Sequence, residues 1–171
     1  MLTTIARDRL AALLEAARGT RVVVVGDAML DVYLRGDVER ISPEAPVPVV
    51  RVRDRREALG GAANVAQNVL AVEGRCTLVA AVGDDRAGER LHALLAAQGG
   101  ATDALVTVDR PTTTKTRLVA RAQQLLRFDE EDDADLAPAE VAQVLATIER
   151  AIADADAVVL EDYNKGILVP D

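Results

Sequence analysis

Three short apolar runs limit how this 171-residue chain can fold. Val22-Val23-Val24-Val25 is unbroken and β-branched and ends at Gly26, and the pattern returns at Leu78 to Val82 and Ala157 to Leu160. Strands with one wet face alternate apolar and polar residues, whereas parallel strands are covered on both faces and read as continuous apolar stretches. All three runs therefore predict parallel strands buried on both sides. Helical stretches separate them. Leu10, Leu13, Leu14 and Ala17 recur at helical spacing before Gly19, and Gly61 to Val72, Ala87 to Ala97 and Ala139 to Ala153 have helical composition. The alternation predicts an α/β fold built on a doubly wound, mainly parallel sheet.

Two stretches break the alternation. From Val32 to Arg53 the chain carries Pro43, Pro46 and Pro48 and then Val49-Val50-Arg51-Val52-Arg53. Proline is excluded from helix interiors and the alternation suits an edge strand. From Thr112 to Asp129, β-branched and charged residues alternate around an expected turn at Ala122-Gln123. Together these segments, about 32–53 and 112–129, predict a small antiparallel β layer shaped like a lid. The acidic run Asp129 to Asp135 reads as a solvated loop, because clustered like charges repel and stay hydrated.

Composition narrows the function. Half of the residues are apolar, enough for a sizeable core. A formal net charge of -8 argues against nucleic acid or anionic lipid as a partner. Tyr33, Tyr163 and Phe128 are the aromatic residues and there is no Trp, so no platform for stacking bases is expected. Charges interrupt every apolar stretch before it could span a membrane, and cytoplasmic residence is the expectation. Cys76, the single cysteine, reads as a buried structural thiol. His92 has no second histidine or cysteine at ligand spacing and reads as a surface or packing residue; no metal site is expected.

Two motifs carry chemistry. Gly26-Asp27-Ala28-Met29-Leu30-Asp31 follows the first strand, at the carboxyl end of the sheet, where open α/β folds bind ligands. It is not Gly-x-Gly-x-x-Gly, and no Gly-x-x-x-x-Gly-Lys-Ser/Thr string occurs. Asp27 and Asp31 suit the hydroxyls of a polyol, although turn and capping aspartates look the same. Gly60-Gly61-Ala62-Ala63-Asn64 opens a helix with small residues, which lets a ligand approach backbone N–H groups, and Asn64 adds a donor and an acceptor. A glycine hinge before a packed alanine-rich helix is the structural alternative.

With Ser42-Pro43-Glu44-Ala45-Pro46-Val47-Pro48-Val49 between them, these motifs resemble the ribokinase/PfkB family of carbohydrate kinases. Thr112 to Arg117, Gln123 to Asp129 and Asp162-Tyr163-x-Lys165-Gly166 narrow the likeness to kinases of D-glycero-D-manno-heptose 7-phosphate. It runs from about Arg21 to the last residue. The resemblance implies a ribokinase-like fold, incomplete at the C-terminus, with residues 1–171 forming its N-terminal sugar-binding part. It implies Asp31, Gly60, Gly61 and Asn64 around the sugar and Asp162 closing the pocket. Lys115, Arg117, Arg127 and Lys165 become candidates for the substrate's phosphate, since a dianion calls for cations.

The implied reaction is ATP-dependent phosphorylation of the anomeric hydroxyl, with Mg2+, on the route to ADP-heptose and the lipopolysaccharide core. A homodimer through the lid is a further implication. The family's Gly-Ala-Gly-Asp motif, which supplies the catalytic base, and its ATP pocket lie downstream of Asp162-Tyr163, and no such string occurs in residues 1–171. The expectation is that these residues carry the sugar site without a catalytic residue and do not turn over ATP alone. A non-catalytic sugar-binding or interaction module of the same fold, or a kinase for another sugar, are the alternatives. Two positions depart from the family: Glu73 and Glu161 stand where it commonly has glycine and a small residue. Glutamate at 73 does not relieve a left-handed helix end as glycine does.

Overall fold

The computed structural model describes residues 5–168. The elements run α1 (Arg7–Ala17), β1 (Arg21–Gly26), β2 (Ala28–Ile41), β3 (Pro48–Gly61), α2 (Ala62–Ala71), β4 (Arg75–Gly83), α3 (Arg86–Ala97), β5 (Leu105–Val108), β6 (Thr114–Ala120), β7 (Gln123–Glu130), α4 (Pro138–Ile152) and β8 (Ala157–Glu161). They build two four-stranded sheets. The first, ordered β5-β4-β1-β8, is parallel throughout; the second, ordered β3-β2-β6-β7, is mixed.

The valine run does in the first sheet what its pattern predicts. Successive side chains on a strand point to opposite faces. Val24 joins Leu78, Ala80 and Val82 beneath α2 and α3, packing with Ala62, Ala66, Leu91 and Leu95. Val23 and Val25 join Val79, Val106 and Val108 on the other face, where Val144 of α4 covers them. One β-branched run thus feeds two cores, and the sheet is doubly wound. Cys76 is buried in the first core, and burial pushes its thiol up to about 11.

The helix boundaries follow from local chemistry. Asp85 caps α3 by accepting from Gly88 N at 2.7 Å, and Pro138 opens α4 where a missing N–H costs nothing. At the end of α2, Glu73 takes φ +62° and Gly74 N donates to Val69 O, so the left-handed turn that favours glycine is held here by glutamate. α1 forms as predicted but buries no residue, leaving Leu10, Leu13 and Leu14 exposed.

Both irregular ribbons are hairpins of the second sheet. β2 and β3 pair antiparallel from Ala28↔Gly61 to Ile41↔Pro48, and the three prolines cluster near the turn and the start of β3. Four expectations are corrected. The layer is mixed rather than antiparallel throughout, because β2 and β6 pair in parallel. The β6–β7 turn lies at Arg121-Ala122, both with positive φ, one residue earlier than expected, because the pairing Ala120↔Gln123 leaves two residues for the loop. β8 is an edge strand with Val158 and Leu160 exposed, so its apolar run is not covered on both faces. The acidic run is not wholly solvated. Asp129 and Glu131 are folded back onto lysines, while Asp132, Asp133 and Asp135 remain exposed.

Candidate functional site

The two sheets meet at Gly26-Asp27. A Cβ on Gly26 would lie 2.0 Å from Glu161 O, so only glycine lets β1 pass β8 at this point. Asp27 N then donates to Glu161 O, and Asp27 O accepts from Ala62 N, the first residue of α2. Gly61 sits at φ +54° with its Cα against Asp27 O, where a Cβ would come within 2.3 Å. Sheet switch and helix start are therefore one knot.

Asp27 itself is no sugar ligand in this arrangement, which corrects its pairing with Asp31 in the sequence. It is 3% exposed, and its Oδ2 accepts from Tyr163 N (2.8 Å) and Lys165 N (3.1 Å). Its carboxylate ties the segment after β8 to the end of β1, and Oδ1 has no hydrogen-bond partner among the described residues.

Asp31 lies over the double glycine. Met29 pairs with Gly60 and Asp31 with Ala58, and a Cβ on Gly60 would stand 2.8 Å from Asp31 Oδ2 and 2.9 Å from Met29 Cγ. Glycine at 60 thus makes room for the carboxylate. Beside it α2 begins without a side-chain cap. Of its first-turn N–H groups only that of Ala62 has a backbone acceptor, leaving those of Ala63 and Asn64 without one among the described residues. Asn64 is exposed on that turn. Asp31 and Gly60 are in contact, and Gly61 and Asn64 lie at the adjoining start of α2.

The four predicted phosphate contacts share the neighbourhood but are already paired with carboxylates. Arg117 Nη1 donates to Asp31 Oδ1 and its guanidinium lies 5.3 Å from the Tyr33 ring centroid. Lys115 Nζ donates to Asp129 (2.9 Å) and Glu131 (3.2 Å), and Lys165 Nζ to Glu131 (2.8 Å). Arg127 Nε is 3.1 Å from Asp129 Oδ1, near enough for ionic attraction, but its N–H is not aligned with that oxygen. The pairs have electrostatic consequences. The Lys165 ammonium holds the Glu131 carboxyl below its usual range, with Lys115 adding to the effect, and Lys115 does the same to Asp129. Asp31 raises Arg117, and Glu131 raises Lys165. Asp162 is exposed and accepts from Asn164 N at 2.7 Å, shaping its own turn.

Sequence reasoning missed Tyr33 and Tyr163 beside the candidate site. Tyr163 sits close enough to Glu161 and Asp31 for their charges, after desolvation, to raise its hydroxyl. Tyr33 is two residues beyond Asp31 and shares its face, a signal legible in the strand period once β2 is known to be a strand. His92 is half-buried on α3. Among the described residues no group of three His, Cys, Asp or Glu side chains could hold a metal ion, and no helix is long and apolar enough to cross a membrane.

A parallel, doubly wound sheet whose switch point carries a glycine pair and a bare helix start is the architecture of α/β proteins that bind small ligands at the carboxyl ends of their strands. The pfkB family carbohydrate kinase pattern matches residues 19–171, and the chain belongs to that family. It is 51% identical over 148 residues to a D-beta-D-heptose 7-phosphate kinase of Bordetella bronchiseptica, covering 86% of this chain and 47% of the relative. It is 47% identical over 161 residues to the bifunctional protein HldE of Rhodospirillum rubrum, covering 93% of this chain and 32% of that protein. The chain thus spans about a third of one relative and just under half of the other. Phosphofructokinase-2 of Escherichia coli, solved as a tetrameric inhibited form, superposes with a TM-score of 0.64 at 23% identity, covering 84% of this chain and 45% of that one. A ribokinase of Cryptococcus neoformans solved with ADP gives 0.55 at 20% identity, covering 83% and 40%. These two likenesses establish the ribokinase-like fold.

Proposed function

We propose that this chain forms the acceptor-sugar site of an ATP-dependent kinase acting on D-glycero-D-manno-heptose 7-phosphate at its anomeric hydroxyl, a step toward ADP-heptose and the lipopolysaccharide core. The observation that carries the reading is Asp31 lying over Gly60 beside the uncapped first turn of α2. A sugar presents hydroxyls that both donate and accept. Asp31 accepts from them, Asn64 and the free N–H groups of α2 serve the hydroxyls that need a donor or a second partner, and the missing Cβ atoms at 60 and 61 let the ring approach. Asp162 closes the pocket from the segment after β8, and residues 32–53 and 112–129 act as the lid.

The phosphate already on the substrate is assigned to the basic side chains of the second sheet, among Lys115, Arg117, Arg127 and Lys165. ATP would supply the transferred phosphoryl group, and Mg2+ would neutralise its charge. The described residues offer neither a metal-ligand set nor a glycine-rich phosphate loop, so their part is to bind, orient and desolvate the acceptor. No residue of this chain is assigned as catalytic. The partner is the phosphorylated sugar, in a cytoplasmic enzyme that pairs with a second copy through the exposed face of the lid.

The test is calorimetry on the protein expressed from its whole reading frame. Heptose 7-phosphate should bind at least about tenfold more tightly than ribose or fructose 6-phosphate, and Asn64→Ala should weaken it without lowering thermal stability. Equal binding of all three sugars would overturn the substrate assignment, and an unchanged affinity in Asn64→Ala would overturn the pocket.

A further inference from the structure

Strand pairing sorts the charged side chains of the second sheet by sign. Residues paired across neighbouring strands point to one face, as do residues two apart along a strand. The row through Asp31 reads Ala58, Asp31, Lys115, Asp129 across β3, β2, β6 and β7. The next row on the same face reads Arg56, Tyr33, Arg117, Arg127. It lies about 6–7 Å farther from the double glycine, two residues' rise along a strand. The first row carries two carboxylates and one ammonium. The second carries three guanidinium groups and no carboxylate.

The three arginines differ in what they have left to give. Arg117 spends one nitrogen on Asp31 and stacks beside Tyr33, keeping its other donors. Arg127 is about half exposed and makes no aligned hydrogen bond to Asp129. Arg56 is exposed and has neither an ion pair nor a side-chain hydrogen bond among the described residues. Its sequence neighbours cannot neutralise it, because Arg55 and Glu57 point to the opposite face, where Glu57 pairs with Arg90 of α3. Lys115, by contrast, is held by Asp129 and Glu131 and Lys165 by Glu131, so moving either to a ligand would draw an ammonium away from a half-buried carboxylate.

We infer that Arg56, together with Arg117 and Arg127 around Tyr33, forms the seat for the substrate's phosphate dianion, and that this row sets the preference for a phosphorylated over an unphosphorylated sugar. The inference rests on the sugar-kinase reading and deepens it by adding a residue and removing the two lysines. Guanidinium groups suit the task because each presents two parallel N–H donors to phosphate oxygens. The spacing suits it too. Carboxylates that accept from hydroxyls lie beside Gly60, and the cations lie one row away, so a sugar phosphate laid along β2 meets the matching charge at each end. Reversed, its phosphate would face Asp31 and Asp129.

The experiment uses the protein expressed from its whole reading frame, titrated with D-glycero-D-manno-heptose 7-phosphate and with the same heptose lacking its phosphate. Arg56→Gln is expected to weaken the phosphorylated sugar about tenfold and to leave the unphosphorylated one within about twofold, with unchanged thermal unfolding. Arg56→Lys should recover part of the loss, and Lys165→Gln should alter the ratio of the two affinities less than Arg56→Gln does. Loss of both sugars to the same degree in Arg56→Gln, or no loss, would overturn the inference while leaving the kinase reading intact. A wild-type protein that binds both heptoses equally would do the same. Failure of the wild type to bind either heptose would overturn the reading beneath it and the inference with it.

Discussion

The two sheets are held by different forces, although β1 runs into β2 through a single residue, Asp27. The first sheet is apolar on both faces, with Val24, Leu78, Ala80, Leu91 and Leu95 essentially sealed from solvent. In the second sheet, one face carries Asp31, Lys115, Arg117, Asp129 and Arg127 in a network of ion pairs, and its outer strand β7 exposes Leu125, Leu126 and Phe128. Burial is non-directional and tolerates no missing volume, whereas ion pairs are directional and worth little until they are desolvated. Stability therefore resides in the first sheet and, on the proposed function, selectivity in the second, and substitutions should separate along that line.

The largest expected effect is in the first sheet. Leu91→Ala empties a fully buried site between α3 and β4 and should cost about 3–4 kcal/mol, read as a lowered urea midpoint. A cost below about 1 kcal/mol would mean that the core is not continuous there. Gly60→Ala comes next and tests the seam. Its new Cβ must displace Asp31 or Met29, so sugar affinity measured by calorimetry should fall about tenfold or more, with a stability loss of about 1–2 kcal/mol.

A change within the ion network should do less to the fold. Glu131→Gln removes the carboxylate shared by Lys115 and Lys165 and should cost about 1–2 kcal/mol at neutral pH. The pH dependence follows from the shifts. Glu131 and Asp129 are depressed in the folded chain, so their contribution is complete above the ordinary carboxylate value of about 4 and is lost as pH falls through their lowered values. Lys165 is raised, so its contribution is complete below the ordinary lysine value of about 10.4 and is lost as pH rises beyond it. The gap between wild type and Glu131→Gln in urea unfolding should be flat from about pH 5 to pH 10 and close in acid. A gap that failed to close at any acid pH at which the protein stays folded would show that the loss does not come from the charge of Glu131. The smallest effect is a gain. Glu73→Gly relieves the left-handed turn after α2 and should raise stability by about 0.5–1 kcal/mol, a few degrees in Tm, less what the exposed Arg18 pair contributes.

What could be read from the sequence follows the same division. The valine run and its two echoes announced the first sheet because burial on both faces leaves an unbroken apolar string. Gly60, Gly61 and Asn64 were legible for a different reason: close backbone approach admits only small residues, and that restriction shows in the letters. The second sheet was harder. Its alternation revealed strands, but the face each residue takes depends on register, and register came only with the pairing of β2 to β3 and β6. Arg56 and Tyr33 were hidden for that reason. So was the neutralisation of Lys115 and Lys165, since their carboxylates lie 14 to 34 residues away in the chain. Asp27 looked equivalent to Asp31, and only depth showed that Asp27 is a bolt between two backbone segments.

The irregularities in the second sheet have one more consequence. Pairing slips between Arg35 and Gly36, between Val38 and Arg40, and between Leu118 and Val119, always on the far side of the Arg56–Arg127 row from the double glycine. A slip of one residue exchanges the two faces of a strand. Placed where they are, these slips leave the phase of every residue from Met29 to Tyr33 untouched. The distal part of the hairpin can thus change length the way an expansion joint does, while the rows of charge next to the double glycine stay in step.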